Sequence, residues 1–201
     1  MNNKRILYLT AVWLLIFSCP VLKAEDLAFP DKIGKIVDQG ENYKIRLIES
    51  KNSGIKTAEA IFLIKADPET VFKTVTDFAH YPEFMPNIKA AAPVEKTDGN
   101  ERYKFTLKVA FWDINYTLLL KSDVKDEKYS LGWEYVEGDI RDTSGSWEII
   151  KYEKNNDYSL ILYSVRTDPG RFVPDWVADR LSTRSIPDMI KAVRKRSVKN
   201  Q

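Results

Sequence analysis

From residue 88 to residue 167 the chain reads as one strand after another, and this run limits what it can fold into more than any other feature. The segments IKAAAPVEKT, ERYKFTLKVAFW, INYTLLLKSDV, YSLGWEYVEG, DTSGSWEIIKYEK and YSLILYSVRT are joined by a few turn residues each, such as DGN, KDEK and NND. Links that short join antiparallel neighbours, because a parallel pair needs a crossover of about a dozen residues. Alternation gives several strands an apolar face: Tyr103, Phe105, Leu107, Val109 and Phe111 on one, Tyr116, Leu118 and Leu120 on the next, Leu131, Trp133 and Tyr135 on a third. A meander with such a face must be covered.

The flanking segments supply candidates for the cover. YKIRLIES alternates Tyr43, Ile45 and Leu47 against Lys44 and Arg46, and IKTAEAIFLIKA is a second, longer strand. A helix follows, with Asp67 as N-cap, Pro68 at its first position and Glu69 favourable to its dipole. Val71, Phe72, Val75 and Phe78 fall on one side of it. Pro82 and Pro86 limit YPEFM to one or two turns. The last element is an amphipathic helix after Asp168-Pro169-Gly170, with an apolar stripe of Val177, Leu181, Ile186, Ile190 and Val193. Pro187 predicts a kink between Thr183 and Pro187. The class is α+β: a bent antiparallel sheet of some eight strands and one long helix. A helix is only about 10 Å across, so a cavity is expected wherever side chains leave the gap open.

The stretch IKTAEAIFLIKADPETVFKTVTDFAHYPEFMPNIK resembles the opening of the START-like superfamily, which includes polyketide cyclases and coenzyme Q-binding proteins. Its members share an A-x-P-E-x-V-F helix start and a D-x-x-x-Y-P-x-F-x-P turn, matched by Ala66 to Phe72 and Asp77 to Pro86. GSWEI around Trp147 and DPGRFVPDW at 168–176 are similar to a D-P-G-G-x-x-P-x-W pattern of bacterial members, with Arg171 replacing the second glycine. The resemblance spans about residues 43–197. It implies a helix-grip (START/Bet v 1-like) fold, in which lipids, sterols, quinones or polyketides lie in a tunnel under the last helix. On that geometry the expected ligand-binding residues are Phe105, Leu107, Tyr116, Trp133, Trp147, Tyr163, Val177, Leu181 and Ile190. Arg141 and Arg166 are candidates to hold a polar head group at the mouth, although a run such as EGDIRDTSG is more often a solvated turn.

His80 is the one histidine of the chain. No nucleophile accompanies it, and a zinc site would need three or four ligands. It reads as an exposed or capping side chain beside aromatic residues that form a wall. No metal or cofactor is expected, and no phosphate loop or G-x-S-x-G elbow is present.

Residues 1–24 carry a basic start, MNNKR, and the apolar run ILYLTAVWLLIFS, which reads as a secretory signal. Cleavage after Ala24 and lipid modification at Cys19, in a lipoprotein-like IFSC, are both open, and a soluble exported form is favoured. Residues 25–41 form a polar tether, and 42–201 the START-like domain. Loss of Lys4, Arg5 and Lys23 takes 31 basic residues to 28, against 29 acidic. That near-neutral balance gives no sign of a nucleic-acid binder, for which a dominant basic face would be expected, and none is expected as a partner. The expected protein is a monomeric, periplasmic or envelope carrier of a hydrophobic ligand, with transient membrane contact. The alternatives are a polyketide aromatase or cyclase, which export disfavours, and an interaction module whose interior is filled.

Overall fold

A computed structural model describes residues 27–31, 33–49, 55–97, 100–109, 111–170 and 185–199. Its strands are β1 (Lys35–Gly40), β2 (Tyr43–Glu49), β3 (Lys56–Ile64), β4 (Ile88–Thr97), β5 (Asn100–Val109), β6 (Trp112–Lys125), β7 (Lys128–Gly138), β8 (Asp142–Lys151) and β9 (Ser159–Asp168). They form one sheet in the order β1-β2-β3-β9-β8-β7-β6-β5-β4. Every neighbouring pair is antiparallel. The six-strand meander is therefore β4 to β9, and the earlier strands add to its β9 edge through β3.

Between the two groups lie α1 (Pro68–Thr76), a 3-10 turn at Phe78–His80 and the short α2 (Tyr81–Phe84). Asp67 caps α1 by accepting from the Thr70 amide at 2.9 Å. The closing helix is described from Ser185 to Lys199 and is labelled α3. Val177, Leu181 and Thr183 lie outside the described residues, so the expected kink falls across that boundary.

Local chemistry sets the curvature. Asp126 and Glu127 both have positive φ (49° and 60°), the left-handed pair of a tight hairpin turn between β6 and β7. Further along the same pair the register skips Val136, between Thr117–Glu137 and Leu118–Tyr135, and such a bulge sharpens the twist. Gly138 ends the strand at φ 141°, where a Cβ would come within 2.3 Å of the Asn115 carbonyl oxygen.

The main core fills part of the space between the concave face and the helices. Phe62, Ile64, Val71, Val75, Ile149, Ile161, Ile190 and Val193 are buried there together. Arg196 of α3 reaches Asp77 at 3.7 Å and Glu83 at 3.4 Å, tying the closing helix to the end of α1 and to α2.

Two expectations are corrected. The segment at 25–41 is not a plain tether. It contributes β1, and Leu27 and Phe29 cover Ile61, Leu63 and Leu160 on the outer face of the sheet. The reason is in β3, where IFLI buries alternate side chains on opposite faces, so the outward pair also needs cover. Phe111, placed by alternation on the inner face, is 97% exposed. The β5–β6 ladder ends at Val109 opposite Trp112, which leaves Phe111 in the turn.

Candidate ligand-binding site

A cavity of about 270 Å³ remains between the concave face and the helices. That lies just under the 300–1,000 Å³ usual for small-molecule pockets. Phe105, Leu107, Tyr116, Trp133, Trp147 and Tyr163 all line it. They come from five strands and meet because the strand period puts each on the inner face of a curled sheet. Their rings touch: Trp147 and Tyr163 lie 4.7 Å apart, Trp133 and Tyr163 5.8 Å, Phe105 and Tyr116 5.9 Å. Gly145 makes room for Trp133, since a Cβ there would come within 2.2 Å of the indole.

The helical side of the cavity comes from Phe78, Tyr81 and Met85, then Ile186 and Met189 of α3. Of these, the wall role of the 77–86 segment follows from its aromatic spacing; Met189 carried no signal apart from helix phase. Ile190 is corrected. It is buried at 1% exposure among Val193 and Ile64 in the core and does not line the cavity. A residue one step along the helix points about 100° away, so Met189 takes the cavity side and Ile190 the packed side.

The two arginines are also displaced from their expected role. Arg166 pairs with Asp142 at 2.8 Å, Arg141 with Asp168 at 3.2 Å, and neither lines the cavity. Val165 and Thr167 of β9 do line it, so alternation turns Arg166 to the opposite face.

Electrostatically the interior is quiet. Burial pushes the Tyr116 phenol up to about 12. The Tyr163 phenol is raised further, by burial and then by its neighbour Tyr116. Tyr81 is raised by burial as well and donates its hydroxyl hydrogen to the Val75 carbonyl. All three stay protonated at physiological pH.

His80 stands outside the cavity, half exposed, with Nδ1 at 2.6 Å from the Asp77 carboxylate. That hydrogen bond, then the charges of Asp77 and Glu83, raise its pKa above 6.5. A raised folded-state value means the imidazolium contributes stability below its unfolded pKa and loses it as pH rises through the folded one. Because it is the one histidine, its imidazole proton resonance can be followed by NMR without assignment. The midpoint is expected above 6.5, and to fall toward 6.5 in Asp77→Asn. A midpoint at or below 6.5 in the parent protein would remove the pair. His80→Asn is expected to leave ligand affinity within a few-fold.

Such a sheet gripping one terminal helix over an apolar cavity defines a START-type helix-grip domain. The chain belongs to the family described as polyketide cyclase / dehydrase and lipid transport, which matches residues 64–194. Among solved structures it is similar to a STAR-related lipid transfer protein from Xanthomonas axonopodis (TM-score 0.72, 16% identity, 83% of this chain and 99% of that one). It is also similar to human StAR-related lipid transfer protein 5 (TM-score 0.71, 14% identity, 85% and 89%). The Zhui aromatase/cyclase from Streptomyces sp. R1128 shares the fold too (TM-score 0.60, 14% identity, 72% and 94%). No curated protein matches the chain. The family thus spans lipid transfer and aromatase/cyclase chemistry.

Proposed function

We propose that this protein is a non-enzymatic carrier that holds a hydrophobic ligand in the cavity under its closing helix, and that it works in the cell envelope after export. One observation carries the reading. The cavity is walled mainly by aromatic and aliphatic side chains, and its described lining holds no carboxylate, imidazole, thiol or guanidinium; its one charged group, Lys56, is half exposed. Burial of apolar ligand surface at about 25 cal/mol per Å² would supply the affinity. General acid–base work at neutral pH is poorly served by phenols whose pKa values burial raises from their ordinary range. The envelope location rests on the signal-like segment at 1–24. Transient membrane contact fits the hairpin tip at Phe111 and Trp112, which are 97% and 48% exposed. That tip adjoins Leu107 and Ile114 at one end of the cavity, and aromatic side chains favour the membrane interface.

Native mass spectrometry of the purified protein, followed by organic extraction, tests the reading. A lipid-sized adduct that leaves unchanged on extraction is the expected result. A clean ligand-free mass that takes up no added lipid would favour an interaction module, and turnover of an added aromatic polyketide would favour the cyclase.

A further inference from the structure

We propose that Tyr116 and Tyr163 are the polar recognition point of the cavity and select a neutral, mainly apolar ligand bearing a carbonyl or hydroxyl oxygen. The inference rests on the ligand-binding reading above and adds the chemistry of the ligand to it. It follows from how the polar side chains of the lining are placed and engaged. Asn87 is exposed, and the indole N–H groups of Trp133 and Trp147 can donate but not accept. The Tyr81 hydroxyl is committed to the Val75 carbonyl. The Thr143 hydroxyl is committed to the Arg166 carbonyl at 3.1 Å and to Thr167 at 2.9 Å. Lys56, the one charged side chain of the described lining, is 54% exposed and stands 3.8 Å from Glu49 at the rim. Among the described residues, nothing hydrogen-bonds the hydroxyl of Tyr116 or Tyr163, although both rings line the cavity.

Their positions make them a pair. β7 and β8 separate β6 from β9, and the register puts Ser122, six residues along β6 from Tyr116, in line with Tyr163, so a flat sheet would hold the two tyrosines roughly 24 Å apart. The curl of the sheet nonetheless turns both side chains into the one cavity. Trp147 and Trp133 pack at a tilt against Tyr163, and Phe105 stacks on Tyr116, which fixes both rings.

Energetics then rank the ligand classes. A hydroxyl facing mainly apolar walls is short of protein partners, and a ligand oxygen that accepts from it restores the hydrogen bond that apolar filling would remove. A pure hydrocarbon fills the space but leaves both phenols unpaired. A carboxylate or phosphate would surrender its hydration to meet two neutral donors and no described interior cation, which costs more than it returns.

The test is calorimetric titration with three naphthalenes of similar size: 2-acetylnaphthalene, 2-isopropylnaphthalene and 2-naphthoate. The ketone is expected to bind at least about tenfold tighter than the hydrocarbon, and the carboxylate weakest. Tyr116→Phe and Tyr163→Phe should each weaken the ketone by about three- to tenfold. Unchanged hydrocarbon affinity in the same variants shows that the cavity is intact. Equal affinity for ketone and hydrocarbon, ketone affinity that ignores both substitutions, or tightest binding of the carboxylate would each overturn the proposal while leaving a ligand-binding cavity. If none of the three binds but native mass spectrometry finds a lipid adduct, this recognition scheme alone is overturned. If no adduct is found either, the carrier reading falls with it.

Discussion

Ala58→Phe is expected to abolish uptake of a fluorescent lipid while leaving the ligand-free protein about as stable as its parent. Ala60→Phe, two residues further along the same strand, should do the reverse. Both alanines lie on the inner face of β3 and both are buried, at 3% and 1% exposure. They differ in what lies in front of them. Ala58 lines the 270 Å³ cavity; Ala60 packs in the core, with Ile45 and Tyr163 as its strand partners. A phenyl ring added at Ala58 enters open space and occupies the ligand's place, so affinity should fall about 100-fold or more, which is about 2.7 kcal/mol. The same ring at Ala60 meets close-packed neighbours, where overpacking costs about 1–3 kcal/mol and sometimes more. For a chain of this length that is a fall of about 2–12 °C in melting temperature. Thermal melts and lipid titrations on both variants decide the matter. Equal destabilisation by the two would mean that side chains fill the space in front of Ala58, and the interaction module would become the better account.

The contrast between those alanines also shows what the sequence could disclose. Strand period placed Phe105, Leu107, Tyr116, Trp133, Trp147 and Tyr163 on one face, and each lines the cavity. It could not say which inward residues meet open space, because that depends on how far the sheet curls, and the curl comes from a register skip at Val136 and a glycine at 138. Ala58 and Val165 also line the cavity but were missed, being too small or too ordinary to stand out among aromatic neighbours. On α3 the apolar stripe covers both core and cavity, so Ile190 was assigned to the wrong one. Arg166 was legible in principle: its place in YSLILYSVRT is out of phase with Tyr163 and Val165. Chemical suitability for a head group outweighed the phase, and the phase was the better guide. β1 carried little signal because its Ile36 and Val37 are both exposed, at 45% and 41%. It forms because the open edge of β2 accepts its backbone.

Arg46→Ala is expected to release that same N-terminal segment from the outer face of the sheet. Arg46 stands opposite Glu59 in the β2–β3 ladder, and its side chain is only 4% exposed. It donates from Nε to Glu59 at 2.8 Å and from Nη1 to the Asp31 carboxylate at 2.8 Å and the Ile33 carbonyl at 2.7 Å. Its guanidinium also lies 4.1 Å over the Phe29 ring. One planar fork thus joins two strands to the lead-in, a geometry that a lysine ammonium cannot reproduce. Removing one member of a fully buried ion pair costs about 3–5 kcal/mol. Asp31 is half exposed and Glu59 a quarter exposed, so water recovers part of that loss and about 2–3 kcal/mol is expected. The melting temperature should fall by about 4–12 °C, with Arg46→Lys in between. Limited proteolysis should cut near residues 27–34 in the alanine variant before it cuts the parent. Ligand affinity should hold within a few-fold, because Arg46 lies on the face of the sheet away from the cavity. A melting change under 1 °C with an unaltered cleavage pattern would show that burial of Leu27 and Phe29 holds the segment without the arginine.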